Sequence, residues 1–119
     1  MASGIIKEGA RIEQGTSNGW VYWKYADGHI EAIRTISTTI THYHYNNVYY
    51  GYYISDIATP LTMKDTSYYV GCDWSIGTGF SIPAGRLDIT TTKFNAYAVS
   101  TASGSVHVDL RLHLVGFPA

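Results

Sequence analysis

Near the end of the chain, the segment over residues 105 to 115 alternates polar and apolar side chains without interruption as far as Leu114. Its apolar members are Val106, Val108, Leu110, Leu112 and Leu114. Its polar members include His107, Asp109, Arg111 and His113. Because successive side chains of a β-strand point to opposite faces, this pattern predicts a strand with one face in a core and the other face outside it.

Residues 68 to 76 show the same alternation. The predicted core face carries Tyr68, Val70, Cys72, Trp74 and Ile76. Within such a face a cysteine behaves as a small hydrophobic residue, so we interpret Cys72 as buried rather than as a nucleophile.

A β-hairpin is predicted near the start of the chain. Residues 20 to 25 and 29 to 36 are rich in aromatic and β-branched side chains, and they flank Ala26-Asp27-Gly28. An Asp-Gly pair suits the positive backbone angles of a tight turn. Further strands are predicted over residues 5 to 12, 38 to 45, 48 to 55, 85 to 89 and 92 to 101. With no helical period of 3.6 residues, the whole chain, residues 1 to 119, is predicted to be one all-β domain, an antiparallel β-sandwich.

Composition limits the class of partner. The 119 residues include 8 basic and 9 acidic side chains, for a net charge of -1. This balance argues against nucleic acid and anionic membranes as partners.

No secretory signal or membrane-spanning stretch is recognisable, so we expect assembly in a cytoplasm and no membrane insertion. The single cysteine excludes an internal disulfide. Charged residues make up 14% of the chain, well below the usual figure of about 25%. A surface rich in hydroxyl groups then favours neutral carbohydrate or another protein.

Six tyrosines and two histidines occur within residues 41 to 53. Tyrosine combines a large rigid ring with a polar tip and is common at recognition surfaces, so the segment favours a binding function. Tyr49, Tyr50 and Tyr52 are candidate ligand contacts. The pair Asn46-Asn47 predicts a turn between two strands, in which case about half of these rings would be packed rather than exposed.

His42 and His44 are two residues apart. On a continuous strand their side chains would project from one face, about 7 Å apart. They are candidates for ligand contact, and a solvated polar face explains the spacing equally. A third alternative is a metal on the axis of a trimer, where three copies would supply six nitrogens. We expect no cofactor.

Two other places could contact a ligand. Trp20, Tyr22 and Lys24 share one face of their strand, Val21, Trp23 and Tyr25 share the other, and only one set can enter the core. We take Trp20 and Tyr22 as candidate sugar contacts, since an exposed tryptophan is a natural platform for a sugar ring. Asp109 and Arg111 could bind sugar hydroxyls, form an ion pair across strands or between subunits, or simply face solvent.

Catalysis is not indicated. A glycoside hydrolase needs two carboxylates flanking a cleft, and the nine acidic residues are scattered. No glycine-rich phosphate-binding loop is present. We therefore expect a binding protein rather than an enzyme.

Two short motifs stand near the start of the chain: residues 4 to 9 read G-I-I-K-E-G, and residues 18 to 31 read N-G-W-V-Y-W-K-Y-A-D-G-H-I-E. They resemble the opening of the C-terminal domains of bacteriophage tail fibre proteins. Such domains commonly open with an aromatic strand, a basic residue, an Asp-Gly turn and a glutamate. The resemblance continues through P-L-T-M-K-D-T-S-Y at residues 60 to 68, Gly79-Phe80, and the final strand ending near Gly116.

The resemblance implies a homotrimeric β-sandwich at the distal end of a virion tail fibre, similar to H-type lectin modules. Residues 1 to 18 would include a strand or connector to the fibre shaft. Its partners would be host-surface carbohydrate and other tail or fibre proteins. The chain departs from the family where Glu31 leads into A-I-R-T at residues 32 to 35 rather than Gln-Trp-Gly. The tyrosine-rich segment has no fixed counterpart, so the resemblance identifies no ligand residues. The alternatives are a virion assembly domain without a receptor and a free lectin-like module.

Overall fold

The computed structural model describes residues 10–45, 48–77 and 81–119, which form two antiparallel β-sheets. The strands are β1 Arg11–Ser17, β2 Trp20–Tyr25, β3 Ile30–Thr41, β4 His44–Tyr45, β5 Tyr50–Ala58, β6 Tyr69–Ile76, β7 Ser81–Leu87, β8 Lys93–Ser100 and β9 Ser105–Gly116. One sheet has five strands in the order β1-β2-β3-β9-β6, and the other has four in the order β4-β5-β8-β7. This all-β architecture fits the predicted β-sandwich.

The five-stranded sheet is built around the pairing of β3 with β9. The two strands pair over their full lengths, from Ile30 opposite Gly116 to Thr41 opposite Ser105. The strands predicted separately over residues 29 to 36 and 38 to 45 are therefore one strand that ends at Thr41. Ser37, which lies between the two predictions, pairs with Asp109 without a break. The length of β9 explains the continuity, since each residue of β3 has a partner on it.

The core lies between the two sheets and contains the face of β9 that was predicted to be apolar. Val108, Leu110, Leu112 and Leu114 are buried, and Val106 is partly buried against them. On β6, Tyr68 at its start and Val70, Trp74 and Ile76 within it are buried as predicted, while Cys72 is only partly buried. The opposite sheet contributes Tyr52, Ile57, Phe94, Ala96 and Ala98. Each large apolar side chain buried here stabilises the fold by about 1.5–3 kcal/mol.

Hydrogen bonds from aromatic side chains join the two sheets. The indole Nε1 of Trp20 donates to the carbonyl of Ala58 on β5 at 2.7 Å. The hydroxyl of Tyr52 donates to the carbonyl of Ala102, next to β9, at 2.8 Å. These bonds satisfy the polar ends of buried rings, as a tightly packed core requires.

The predicted hairpin between β2 and β3 is confirmed. Gly28 has a φ of 95°, and the amide of His29 donates to Oδ1 of Asp27 at 3.0 Å.

Elsewhere the observed strand boundaries differ from the predicted ones. The strand predicted over residues 5 to 12 falls mainly outside the described residues, and β1 begins at Arg11. The one predicted over 85 to 89 is β7, which ends at Leu87. The predicted turn at Asn46-Asn47 lies outside the described residues.

Asn95 connects two irregular points of the four-stranded sheet. This buried side chain accepts a hydrogen bond from the amide of Asp56 at 2.8 Å and donates to Oδ2 of Asp88 at 2.9 Å. Both aspartates have a left-handed backbone, with φ of 54° and 49°, which Asp tolerates better than most residues. Asp56 lies where the β5–β8 register shifts. Asn95 therefore holds a bulge in place by bonding from the neighbouring strand.

Replacing Asn95 by Ala should lower the free energy of unfolding by about 1–3 kcal/mol, because the amide of Asp56 loses its partner. Urea denaturation of the purified domain measures this change. The exposed residue Gln14 on β1 offers a control, since Gln14→Ala should change stability by less than about 0.5 kcal/mol. Equal stability of the two variants would show that Asn95 does not support the bulge.

Candidate functional site

The candidate site is the outer face of the five-stranded sheet, meaning the side chains that point away from the four-stranded sheet. Strand register arranges these side chains in rows that cross the sheet. One row runs Trp23, Glu31, Val115 and Tyr69, and the next runs Val21, Ile33, His113 and Gly71. A third contains Thr35, Arg111 and Asp73. The polar side of β9 thus lies at the centre of this face, flanked by β3 and β6.

A depression of about 530 Å³ lies above Gly71 on this face, and we call it the Gly71 depression. Its walls include Ile33, Tyr69, Asp73, Arg111 and His113. A Cβ atom at residue 71 would lie 2.8 Å from the hydroxyl of Tyr69, so the tyrosine covers space that a side chain would otherwise occupy. Tyr69 is 58% exposed and Ile33 is 49% exposed. The depression therefore offers a ligand an aromatic ring and an aliphatic side chain.

Arg111 and Asp73 form one polar wall of the depression. Nε of Arg111 donates to Oδ2 of Asp73 at 2.8 Å, and Nη2 donates to Oγ of Ser75 at 2.9 Å. The hydrogen bond to Asp73 raises the pKa of Arg111 above its already high ordinary value. An exposed ion pair of this kind adds little to stability. Its main effect is to hold the guanidinium in a fixed orientation beside the depression.

His113 also lines the depression, and its partner is Glu31 on β3. Oε1 of Glu31 lies 3.0 Å from Nε2 of His113, and Oε2 accepts a hydrogen bond from the hydroxyl of Tyr25 at 2.9 Å. The hydrogen bond from Tyr25 lowers the pKa of Glu31 most, and the hydrogen bond with His113 lowers it further. Nε of Arg11 donates to the hydroxyl of Tyr25 at 3.1 Å, and its guanidinium lies 4.9 Å from the ring centre of Trp23. A chain of hydrogen bonds therefore extends from β1 to β9.

Asp109 and Arg111 share the outer face, as strand parity predicts, but Asp109 lies further along β9, outside the Gly71 depression. The Ser37 hydroxyl donates to Oδ1 of Asp109, and Nε2 of His107 lies 3.2 Å from the same oxygen. The Ser37 bond is the main cause that lowers the pKa of Asp109. The predicted ion pair between neighbouring strands does form, with Asp73 as the partner of Arg111.

Trp20, Tyr22 and Tyr52 do not lie on this face, which corrects their assignment as surface contacts. Trp20 is 1% exposed and Tyr52 is 0% exposed, so neither ring can reach a ligand at the surface. Tyr22 is partly buried against the core, and its ring covers Gly15 on the neighbouring strand. The hydrogen bond from Trp20 to Ala58 holds the face of β2 that carries Trp20 and Tyr22 toward the core. Trp23, from the other set, lies on the outer face instead.

His42 and His44 do not form the predicted pair on one strand. Strand β3 ends at Thr41, and the chain bends at Tyr43 before β4 begins. Nδ1 of His42 accepts a hydrogen bond from the amide of Gly104 at 3.0 Å, and its ring contacts Tyr50 edge-on at 4.6 Å. The side chain of His44 lies outside the described part of the structure. Among the side chains that are described, no group of three or more His, Cys, Asp or Glu could hold a metal ion.

The tyrosine-rich segment belongs to the four-stranded sheet, away from the Gly71 depression. Tyr49 and Tyr50 are partly buried, and the Tyr50 ring stacks on Tyr45 at 4.5 Å. Tyr43 contacts Tyr53 at 5.3 Å and Tyr97 at 5.8 Å. The prediction is that about half of the six rings are packed; in the structure Tyr52 is buried, Tyr49, Tyr50 and Tyr53 are partly buried, and Tyr43 and Tyr45 are exposed.

Tyr69, Ile33 and Asp73 were not identified as candidates from the sequence. The parity that assigns Tyr68 and Trp74 to the core also assigns Tyr69, Gly71 and Asp73 to the opposite face. A glycine between a tyrosine and an aspartate on a polar face would have indicated a depression there. Its completion by Arg111 and Ile33 depends on the order of β3, β9 and β6, which no local pattern specifies.

Comparison with known proteins leaves the family open. No protein-family model matches the chain, and searches of curated proteins and of solved structures gave no match either. In the described ranges, no helix is long and apolar enough to cross a membrane.

Replacing Glu31 by Gln should reduce the loss of stability in acid. The pKa of Glu31 is lowered in the folded state. Its ionised carboxylate therefore stabilises the fold at pH values above 4.5, the ordinary pKa of the group. This contribution is lost as the pH falls through the lower folded pKa. Since the side chain is 36% exposed, solvent screening limits the effect to a few tenths up to about 1 kcal/mol.

The measurement is the free energy of unfolding in urea between about pH 6 and pH 3 for the wild type, Glu31→Gln and the control Gln14→Ala. The wild type and the control should lose more stability than Glu31→Gln over this range. Three superimposable profiles would show that the Glu31 network does not respond to pH.

Proposed function

We propose that this chain is a non-catalytic receptor-binding domain that attaches a phage tail fibre to carbohydrate on the host surface. The outer face of the five-stranded sheet is the proposed binding surface. The observation that carries the proposal is the exposed Tyr69 ring beside the Gly71 depression, with the Arg111–Asp73 ion pair and His113 on its walls. Tail fibre membership is supported by the sequence resemblance.

The chemistry of the depression suits a neutral sugar. The ring of Tyr69 and the side chain of Ile33 can pack against the apolar face of a pyranose, while polar groups at the edge fix its orientation. Arg111 on the wall is paired with Asp73, and His113 on the wall is hydrogen-bonded to Glu31 on β3. Donors and acceptors held in such pairs can exchange hydrogen bonds with sugar hydroxyls without favouring a charged ligand.

The two carboxylates at the depression are poorly suited to hydrolysis. A glycosidase acid must stay protonated near neutral pH, which requires a raised pKa. The pKa of Glu31 is instead lowered by hydrogen bonds from Tyr25 and His113. Asp73 bonds to the guanidinium of Arg111. The hydrogen bonds to Glu31 favour its ionised form, which supports binding over catalysis.

A second candidate function is virion assembly without receptor binding. The outer face of the four-stranded sheet carries Tyr53, Tyr97 and Val99, and Ile82 beside Val99 is 48% exposed. Tyr43, packed against this cluster, is 63% exposed. Aromatic and aliphatic side chains without formal charge are typical of the centre of protein interfaces. This surface could therefore bind other copies of the chain or other fibre proteins.

The resemblance to tail fibre domains leads us to propose a homotrimer located in the virion. Sedimentation equilibrium should then give three times the chain mass of 13.2 kDa. Replacing Tyr43 by Asp should weaken the trimer if the four-stranded sheet lies at the interface, since a charge would be buried there. A wild-type mass of one chain at all concentrations would exclude the trimer.

Replacing Tyr69 or Arg111 by Ala should weaken sugar binding by about fivefold to fiftyfold, the usual effect of losing a central Tyr or Arg. The probe is a glycan array of neutral hexose and N-acetylhexosamine oligomers, followed by calorimetry with the best ligand. Thr39→Ala is the matched control, because Thr39 is exposed on the same sheet, opposite His107. Unchanged binding by both Tyr69→Ala and Arg111→Ala would contradict the proposed site.

A further inference from the structure

A second depression lies on the other side of the Tyr69 ring. Its volume is about 360 Å³, and its walls include Lys64, Ser67, Tyr69, Val115 and Phe117. We call it the Phe117 depression. Tyr69 contributes to both cavities, so its ring separates two adjacent spaces on one surface.

The two depressions follow one another along β6 and β9. The Asp73 row, the Gly71 row and the Tyr69 row are successive positions on the same face, two residues apart on each strand. Phe117 lies two residues beyond Val115, the partner of Tyr69. At about 3.3 Å per residue, the path from Arg111 to Phe117 is about 20 Å long. This path is longer than a single sugar ring and runs in one direction.

Backbone contacts hold the Phe117 depression in shape. The amide of Lys64 donates to the carbonyl of Phe117 at 2.9 Å, and Met63 forms an isolated bridge with Pro118. Gly116 lies against Tyr68, where an added Cβ would be 2.5 Å from the Cβ of Tyr68. The loop before β6 is therefore fixed against the end of β9, so this second cavity is part of the folded structure.

The Phe117 depression repeats the chemistry of the first. Phe117 is 52% exposed and supplies an aromatic surface, as Tyr69 does on the other side. Lys64 and Asp65 supply charges of opposite sign, and Oδ1 of Asp65 accepts a hydrogen bond from the amide of Ser67 at 2.9 Å. At the far end, beyond Arg111, the outer face continues to Ser75 and Asp109. As far as the described residues show, a ligand could therefore extend past the Gly71 depression in this direction.

We infer that the outer face binds an internal segment of a linear neutral polysaccharide, with a disaccharide unit in the Gly71 depression and further rings of the same polymer beyond Tyr69, in the Phe117 depression. This inference rests on the proposed carbohydrate-binding function and specifies its ligand. A site for one terminal sugar would need a single enclosed cavity, whereas here two cavities share an aromatic divider and the face continues beyond them. Arg111 is paired with Asp73 in the first cavity, and Lys64 and Asp65 both line the second, which argues against a strong preference for an acidic polymer.

Affinity measured against oligosaccharide length tests the inference. Arrays and calorimetry would use one, two, four and six units of neutral hexose and N-acetylhexosamine series. We expect affinity to rise about tenfold or more between two and four units and then to level off, since a longer ligand fills both depressions. Phe117→Ala should lower tetrasaccharide affinity much more than disaccharide affinity and so remove most of this gain. Thr39→Ala should change neither the disaccharide affinity nor the gain of affinity with length. Circular dichroism checks that each variant is folded.

Three results would overturn the inference. The first is equal affinity of the wild type for oligosaccharides of two and four units. The second is an equal loss of affinity at both lengths in Phe117→Ala. Either of these results leaves the proposed function intact, because sugars still bind. Absence of binding at every length in all series would overturn the inference and the proposed function together.

Discussion

The pairing of β3 with β9 is the interaction on which the rest of the structure depends. Twelve consecutive residue pairs join the two strands, and β6 pairs with the other edge of β9. The alternation in β9 then has two consequences. Its leucines form the middle of the core, while Arg111 and His113 form the middle of the outer face. A shift of one residue in this register would bury the charges and expose the leucines, so the same constraint fixes both the core and the candidate site.

Tyrosine has a structural function in this fold that its abundance alone does not reveal. At Gly15, Gly51 and Gly71, an added Cβ would lie 2.5, 2.5 and 2.8 Å from the hydroxyl of Tyr22, Tyr97 and Tyr69, respectively. Glycine weakens a strand because it has no side chain to pack, and an aromatic ring laid over it restores that packing. Several of the 11 tyrosines are thus explained by sheet packing. Of these three covering rings, Tyr69 is the one at the Gly71 depression.

The local patterns predicted much of the fold and less of the site. Strands β2, β6, β8 and β9 and the Asp27-Gly28 turn follow from alternation and turn chemistry, which act over a few residues. Alternation also divides β2 into two faces, but it does not say which face is inside. The sequence therefore allows Trp20 at the surface, and its burial depends on a hydrogen bond to the distant carbonyl of Ala58.

Alternation places Arg111 correctly on the polar face. Its partner Asp73 and the wall residue Tyr69 depend on the adjacency of β6 and β9, which are separated by almost thirty positions in the sequence and become neighbours only in the folded sheet.

The central claim is that the outer face of the five-stranded sheet binds a neutral glycan. A titration followed by backbone amide chemical shifts tests it most directly, with the oligosaccharide that gives the strongest array response. We predict that the largest shifts occur at Tyr69, Gly71 and His113, with small changes on the four-stranded sheet. The largest shifts at Gly51 and Tyr97, with none around Gly71, would contradict the claim.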